Sequence, residues 1–266
     1  MLAGARRFAS LRAVIEEVFM PVTRGGEALL SIFDRVYVIN LPDRADRRAE
    51  MAAQLSRLGL GFDHPSVTLV PGVRPDDPGE FPGLGVRGCY MSHLSVLEAG
   101  LRDGAERFLL LEDDADFVRG IEERLPALAA AARDEDWGLL WAHMPGRYHA
   151  PPTATPDLLH EVSPDTPIKL AHMVGVTREA AELALPYLRA IAERPYDDPA
   201  GGPMHVDGAY FWFRRAHPGV RTLAPETALA LQRSSRSDIH RGRWYETMPV
   251  VGELVAGLRR AKNALR

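Results

Sequence analysis

The chain has 266 residues and 46% hydrophobic content, enough to bury a full core in one large α/β domain. Its formal charge of −4 and pI near 6.2 argue against a general nucleic-acid binder, while leaving room for local basic clusters. The lone Cys89 excludes an internal disulfide and a zinc site built from several cysteines, and no apolar run approaches the ~20 residues of a membrane span.

Residues 1–34 carry Arg6, Arg7 and Arg12 but are broken by Glu16, Glu17, Pro21 and Gly25-Gly26. They lack a signal-peptide core and read as an N-terminal helical extension and linker. A main domain is expected over 35–248. Val36 to Leu41 reads as a buried strand ended by Pro42, followed by a helix from about Ala45 to Leu58. An apolar segment near Val67 to Val70 leads into a Gly/Pro-rich loop, Pro71 to Gly88, and then a helix from Tyr90 to Leu101. Strands are expected at Phe108 to Leu111, Trp137 to Trp141 and Leu170 to Val176, with helices at Ile121 to Ala132 and Arg178 to Ile191. Strands alternating with helices imply a mostly parallel sheet covered on both faces. The proline-rich stretches Pro145 to Pro167 and Arg194 to Pro203 are long irregular connections, of the kind that carry binding loops or linkers. The run 249–266 has apolar residues at helical spacing and a cationic end, which fits a docked last helix or attachment to anionic lipid.

The densest chemistry lies where Leu109-Leu110-Leu111 stops in Glu112, Asp113, Asp114 and Asp116. Ligands collect at the carboxyl ends of strands in open α/β sheets, so these acids can jointly face one cation. Oxygen-only ligands suit Mg²⁺ or Mn²⁺, which neutralise charge on a departing phosphate. Helix capping would account for one acid, whereas four crowded acids repel unless something offsets them. Asp116 is expected to cap the next helix, with support of a metal-bound water as the alternative. The Arg-rich loop after the first strand, containing Arg44 and Arg47, and the glycines preceding Ser92 and His93 lie where a nucleotide could bind. Each also has a plainer reading as a solvated helix turn or a packed side chain.

The order of three blocks is more specific. Ile39-Asn40-Leu41 with Arg44, Asp46, Arg47 and Arg48, then Gly85 and Gly88-Cys89 with Ser92-His93, then Leu111-Glu112-Asp113-Asp114 with Phe117, resembles glycosyltransferase family 25. These are the lipopolysaccharide-biosynthesis glycosyltransferases related to collagen galactosyltransferases. The likeness continues through Gly175 to Ala181, His205-Val206-Asp207, and Pro225 to Ile239. The resemblance implies a GT-A-like, Rossmann-type single domain and a nucleotide-diphosphate sugar donor, expected to be a UDP-sugar. Donor contacts then fall to Asn40, Arg44, Arg47, Gly88, Ser92, His93 and Asp113. Metal ligands would be Asp114 and Glu112, with His240 either a further ligand to the same metal from the C-terminal part or a surface histidine. Asp207 is the candidate catalytic base, with a buried structural aspartate as the alternative. Trp137, Trp141, Trp212 and Tyr148 are the aromatics that could stack on an acceptor sugar, Tyr148 and Trp212 being favoured. The expected reaction is inverting, metal-dependent transfer of a hexose, galactose first, to a bacterial surface or lipid-linked glycan. The expected setting is a cytoplasmic monomer or dimer with peripheral inner-membrane contact. A nucleotide-sugar hydrolase, a nucleotidyltransferase and a non-catalytic nucleotide-sugar-binding module are the competing readings.

Overall fold

The computed structural model describes residues 21–148 and 159–233. Helix α1, Arg24–Ile32, leads into strand β1, Arg35–Asn40, and then α2, Ala45–Ser56, and β2, Val67–Pro71. Helix α3, Leu84–Arg102, precedes β3, Arg107–Glu112, and the short β4, Ala115–Phe117. The chain continues through α4, Ile121–Asp134, β5, Leu139–Trp141, β6, Leu159–Glu161, and β7, Met173–Thr177. It ends in α5, Arg178–Glu193, α6, Val206–Ala216, β8, Thr222–Pro225, and β9, Ala230–Gln232.

Seven strands form one sheet in the order β2-β1-β3-β7-β5-β8-β6, and β4 pairs with β9 in a separate ribbon. Five of the seven strands share a direction, while β7 and β6 run against their neighbours. The sheet is therefore mixed but mostly parallel, and helices cover both faces as alternating strands and helices imply. Alternate residues of the central strands divide two cores. Tyr37, Ile39, Phe108 and Leu110 pack beneath α3, α5 and α6, while Val36, Val38, Leu109 and Leu111 face α1, α2 and α4. That division follows from the two-residue period of a strand, and near-complete burial on both sides explains why β1 and β3 read as unbroken apolar runs.

Several elements differ from the sequence reading, among them the strand expected from Trp137, which starts at Leu139. The helix expected from Tyr90 starts at Leu84, so Gly85 and Gly88 lie inside it rather than in a preceding loop. The strand expected from Leu170 starts at Met173, because Leu170 takes a left-handed φ of 65° that no strand tolerates. Val206–Ala216 forms a helix where the sequence reading expected no element. Before β1, α1 packs against α4 and contributes Leu29 and Ile32 to one of the two cores. The helix expected over 249–266 lies outside the described residues.

Candidate active site

Parallel β1 and β3 lie side by side, with Ile39 opposite Glu112. Their last residues deliver Asn40 and the acid run to one sheet edge, and the antiparallel entry to β7 closes the far side, where Glu112 N–H donates to the His172 carbonyl at 2.8 Å. The acids then diverge.

Glu112 Oε1 lies 3.0 Å from His93 Nε2 and accepts from the Cys89 thiol at 3.6 Å. Burial pushes this carboxyl up, but the His93 hydrogen bond and the imidazoles of His93 and His172 hold it below its ordinary range. Asp113 turns the other way. Its oxygens accept from Arg47 Nη1 at 3.0 Å and Asn40 Nδ2 at 2.7 Å. Asp114 Oδ2 accepts from Gln232 Nε2 at 3.3 Å and lies 3.9 Å from Arg47, whereas its buried Oδ1 has no hydrogen-bond partner among the described residues. Burial, then the negative charge of Glu112, raises the Asp114 carboxyl to about 7 against the pull of Arg47.

Asp116 neither caps a helix nor faces Asp114 as a free acid. It sits in β4 and ion-pairs with Arg233, whose Nε is 3.1 Å away and whose Nη1 reaches Glu50 at 2.6 Å. The following helix starts at Ile121, and its N-cap is Gly120, which has no side chain to cap with. Arg233 also donates its backbone N–H to the Asp114 carbonyl at 2.7 Å, so one residue ties the acid run to the end of β9.

A cleft of about 780 Å³, including its open mouth, is lined by Arg47, Arg74, Gly85, Gly88, Ser92, His93 and the Glu112-Asp113-Asp114 run. Of the expected donor residues, Arg47, Gly88, Ser92, His93 and Asp113 thus meet in one place. Asn40 supports them from behind through Asp113 and the Arg44 carbonyl. Arg44 itself pairs with Asp46 at the start of α2.

Gly88 and Ser92 carry structural work at the cleft floor. A Cβ on Gly88 would come within 2.6 Å of the Val73 carbonyl oxygen, so glycine lets α3 pass against the loop after β2. Ser92 Oγ donates to the Gly88 carbonyl at 2.7 Å and accepts from Val73 N–H at 2.8 Å. Both of those hydroxyl functions serve that clamp.

Asp207 lies in the first turn of α6, in a recess shared with Cys89, Glu112, Leu170, His205 and Gln232. Its oxygens accept from Leu170 N–H at 3.1 Å and Gly208 N–H at 2.8 Å. Trp141 Nε1 holds the Leu170 carbonyl at 3.0 Å from the other side, so a residue in a sparsely allowed conformation is fixed beside the carboxylate. His240 lies outside the described residues.

Trp137 and Trp141 are core residues, each bonding its indole N–H to a backbone carbonyl. Tyr148 packs edge-on to His143 and His172 and accepts from the Gln232 N–H at the site's rim. Gln232 and Arg233 entered the sequence reading only as part of the Pro225 to Ile239 likeness and His172 not at all, since each meets the acids only through long-range pairing.

No family model matches the chain. It is 30% identical over 112 residues to the probable inactive glycosyltransferase 25 family member 3 of Rattus norvegicus, covering 36% of this chain and 20% of that protein. The human inactive member 3 is 30% identical over 127 residues, covering 41% and 21%. The Xenopus laevis procollagen galactosyltransferase 1-B is 28% identical over 127 residues, covering 41% and 21%. The chain resembles glycosyltransferase family 25. It spans about a fifth of the length of these family 25 relatives. A solved glycosyltransferase involved in glycosylation of the major capsid of PBCV-1 superimposes with a TM-score of 0.44 at 9% identity, covering 76% of this chain and 93% of that one.

The divalent cation that the family 25 resemblance implies fits the residues present. Asp114 offers a buried oxygen that no described residue bonds, among crowded acids, a charge arrangement that a cation would relieve.

Proposed function

We propose that this chain is a divalent-cation-dependent, inverting glycosyltransferase with a GT-A-like fold. In this reading it moves a hexose, galactose first, from a UDP-sugar to a hydroxyl of a bacterial surface or lipid-linked glycan. The observation that carries the reading is Asp114: a buried carboxylate oxygen without a partner among the described residues, beside Glu112, at the strand edge that backs a cleft carrying Arg47 and Arg74. The procollagen galactosyltransferase name of one relative supports galactose. The glycan acceptor is supported by the motif order alone.

Mn²⁺ or Mg²⁺ held at Asp114 and Glu112 would neutralise charge on the departing nucleoside diphosphate. The protein's own part is to place and hold the reactants. Arg47 and Arg74 supply positive charge where the diphosphate would lie, and Asn40 keeps Asp113 oriented toward the cleft. Asp207, oriented by two backbone N–H groups, takes the proton from the acceptor hydroxyl as its oxygen bonds to the anomeric carbon and the bond to the diphosphate breaks.

Thermal unfolding with UDP-galactose, with and without Mn²⁺, tests this directly, because a ligand binding only the native state raises the midpoint. The expected result is a Mn²⁺-dependent rise that Asp114→Ala abolishes, together with galactose transfer to an acceptor glycan. Several relatives are named inactive, and a rise without any transfer or hydrolysis would favour a nucleotide-sugar-binding module. Absence of any rise with a panel of nucleotide sugars would overturn both readings.

A further inference from the structure

Cys89 and His93 stand one helical turn apart on the face of α3 turned to the end of β3, where Glu112 points back at them. Among the described residues, theirs is the one group of three metal-type side chains whose ligand atoms all lie within 4.8 Å of one another. The donors are a sulfur, a nitrogen and an oxygen. A tetrahedral Zn²⁺, with bonds of about 2.3 Å to sulfur and about 2.0–2.2 Å to nitrogen and oxygen, separates its ligands by roughly 3.3–3.6 Å. The observed separations of 3.0 Å and 3.6 Å to Glu112 Oε1 bracket that range, so small rotations suffice.

Hard cations discriminate against such a set and softer ones favour it. In the structure the Cys89 thiol donates to Glu112 Oε1. Cys89 and Glu112 border both the cleft of the acid run and the recess of Asp207. A cation held there by three side chains would have its remaining position facing open space.

We propose that Cys89, His93 and Glu112 form a Zn²⁺-class site, distinct from the oxygen-only site at Asp114, with a fourth coordination position open between the cleft and the Asp207 recess. Binding replaces the thiol proton with a metal–sulfur bond and releases that proton to solvent. Because Glu112 serves this site, Zn²⁺ and a hard cation at Asp114 compete for it. The site itself does not depend on the transferase reading.

The test is titration of the metal-free full chain with Co²⁺, in a phosphine reductant, followed by absorbance. Cys89 is the chain's sole cysteine, so a near-ultraviolet thiolate-to-cobalt band identifies it without a variant. The expected result is such a band saturating at one equivalent, four-coordinate visible bands, and displacement by Zn²⁺ but not by Mg²⁺. Cys89→Ser should remove the band, and His93→Gln should weaken Zn²⁺ binding at least tenfold. A folded wild type with no thiolate band at one equivalent overturns the proposal, as does unchanged Zn²⁺ affinity in either folded variant. Where a variant fails to fold, the wild-type spectrum decides alone. None of these readouts requires glycosyl transfer, so loss of the transferase reading leaves the result intact.

Discussion

Replacing Asp114 by asparagine removes a charge that the metal-free fold holds at a cost. The carboxyl rises from 3.8 to about 7 because it is buried beside Glu112. One pKa unit is about 1.4 kcal/mol, so ionising Asp114 in the folded state costs at most roughly 4 kcal/mol. Water entry and local relaxation bring our expectation to about 2 kcal/mol. The folded state binds the proton more tightly than the unfolded chain, so the wild type loses stability as pH rises from about 4 to about 7 and stays lower above. Asp114→Asn titrates nothing at this position. In urea unfolding with chelator present, the two proteins should therefore differ little in pH-dependent stability near pH 4. At pH 8.5 the variant should be the more stable by about 2 kcal/mol relative to that baseline. Mn²⁺ at pH 8.5 should stabilise the wild type and leave the variant unmoved. A difference independent of pH, or a variant less stable than the wild type at pH 8.5 after that baseline is subtracted, would refute the reasoning.

Gly88→Ala should destabilise the fold by about 1–3 kcal/mol, because its methyl meets the Val73 carbonyl at 2.6 Å and backbone on one side must shift. Chemical denaturation measures the loss, and wild-type stability would show that α3 yields freely there. His172 is fully buried, and burial lowers its imidazole to about 4. Between its ordinary 6.5 and about 4 the unfolded chain takes up the proton that the folded state refuses. Stability should then fall over that window by on the order of 3 kcal/mol as pH drops. Urea midpoints from pH 4 to 7 should show this slope in the wild type and a flatter one in His172→Gln.

Much of the scaffold was legible because its signals are local. Val36 to Ile39 and Phe108 to Leu111 are buried on both faces, and an unbroken apolar run is the direct trace of that burial. The helix expected from Arg178 starts there, with the Thr177 hydroxyl capping it by accepting from Ala180 N–H. The acid run was equally plain, as was its place at a strand end. What each acid faces was not. Glu112, Asp113 and Asp114 are consecutive, yet one meets α3, the next meets α2 and β1, and the third meets β9. Side-chain alternation along the chain separates them, and their partners are set by the tertiary fold. Asp116 misled for the same reason, since Arg233 lies far along the chain and nothing near residue 116 announces it. The glycines before Cys89 suggested a loop because glycine is a poor helix former. In the fold, close approach to Val73 outweighs that preference.

The Arg233 to Asp116 contact joins residues 117 positions apart, and β9 reaches β4 over the same span. Bringing such distant segments together carries a loop-closure penalty that grows with chain length, and folding slows as contacts become less local. The β1-α2-β2 unit and the cleft wall from α3 can assemble from the first hundred or so residues. Asp113 can find Arg47 at that stage, whereas Asp116 stays without Arg233, and Asp114 without Gln232, until the chain has been made and folded as far as β9. Compaction should therefore precede competence during synthesis, and cation or donor binding should appear only in the last kinetic phase of refolding.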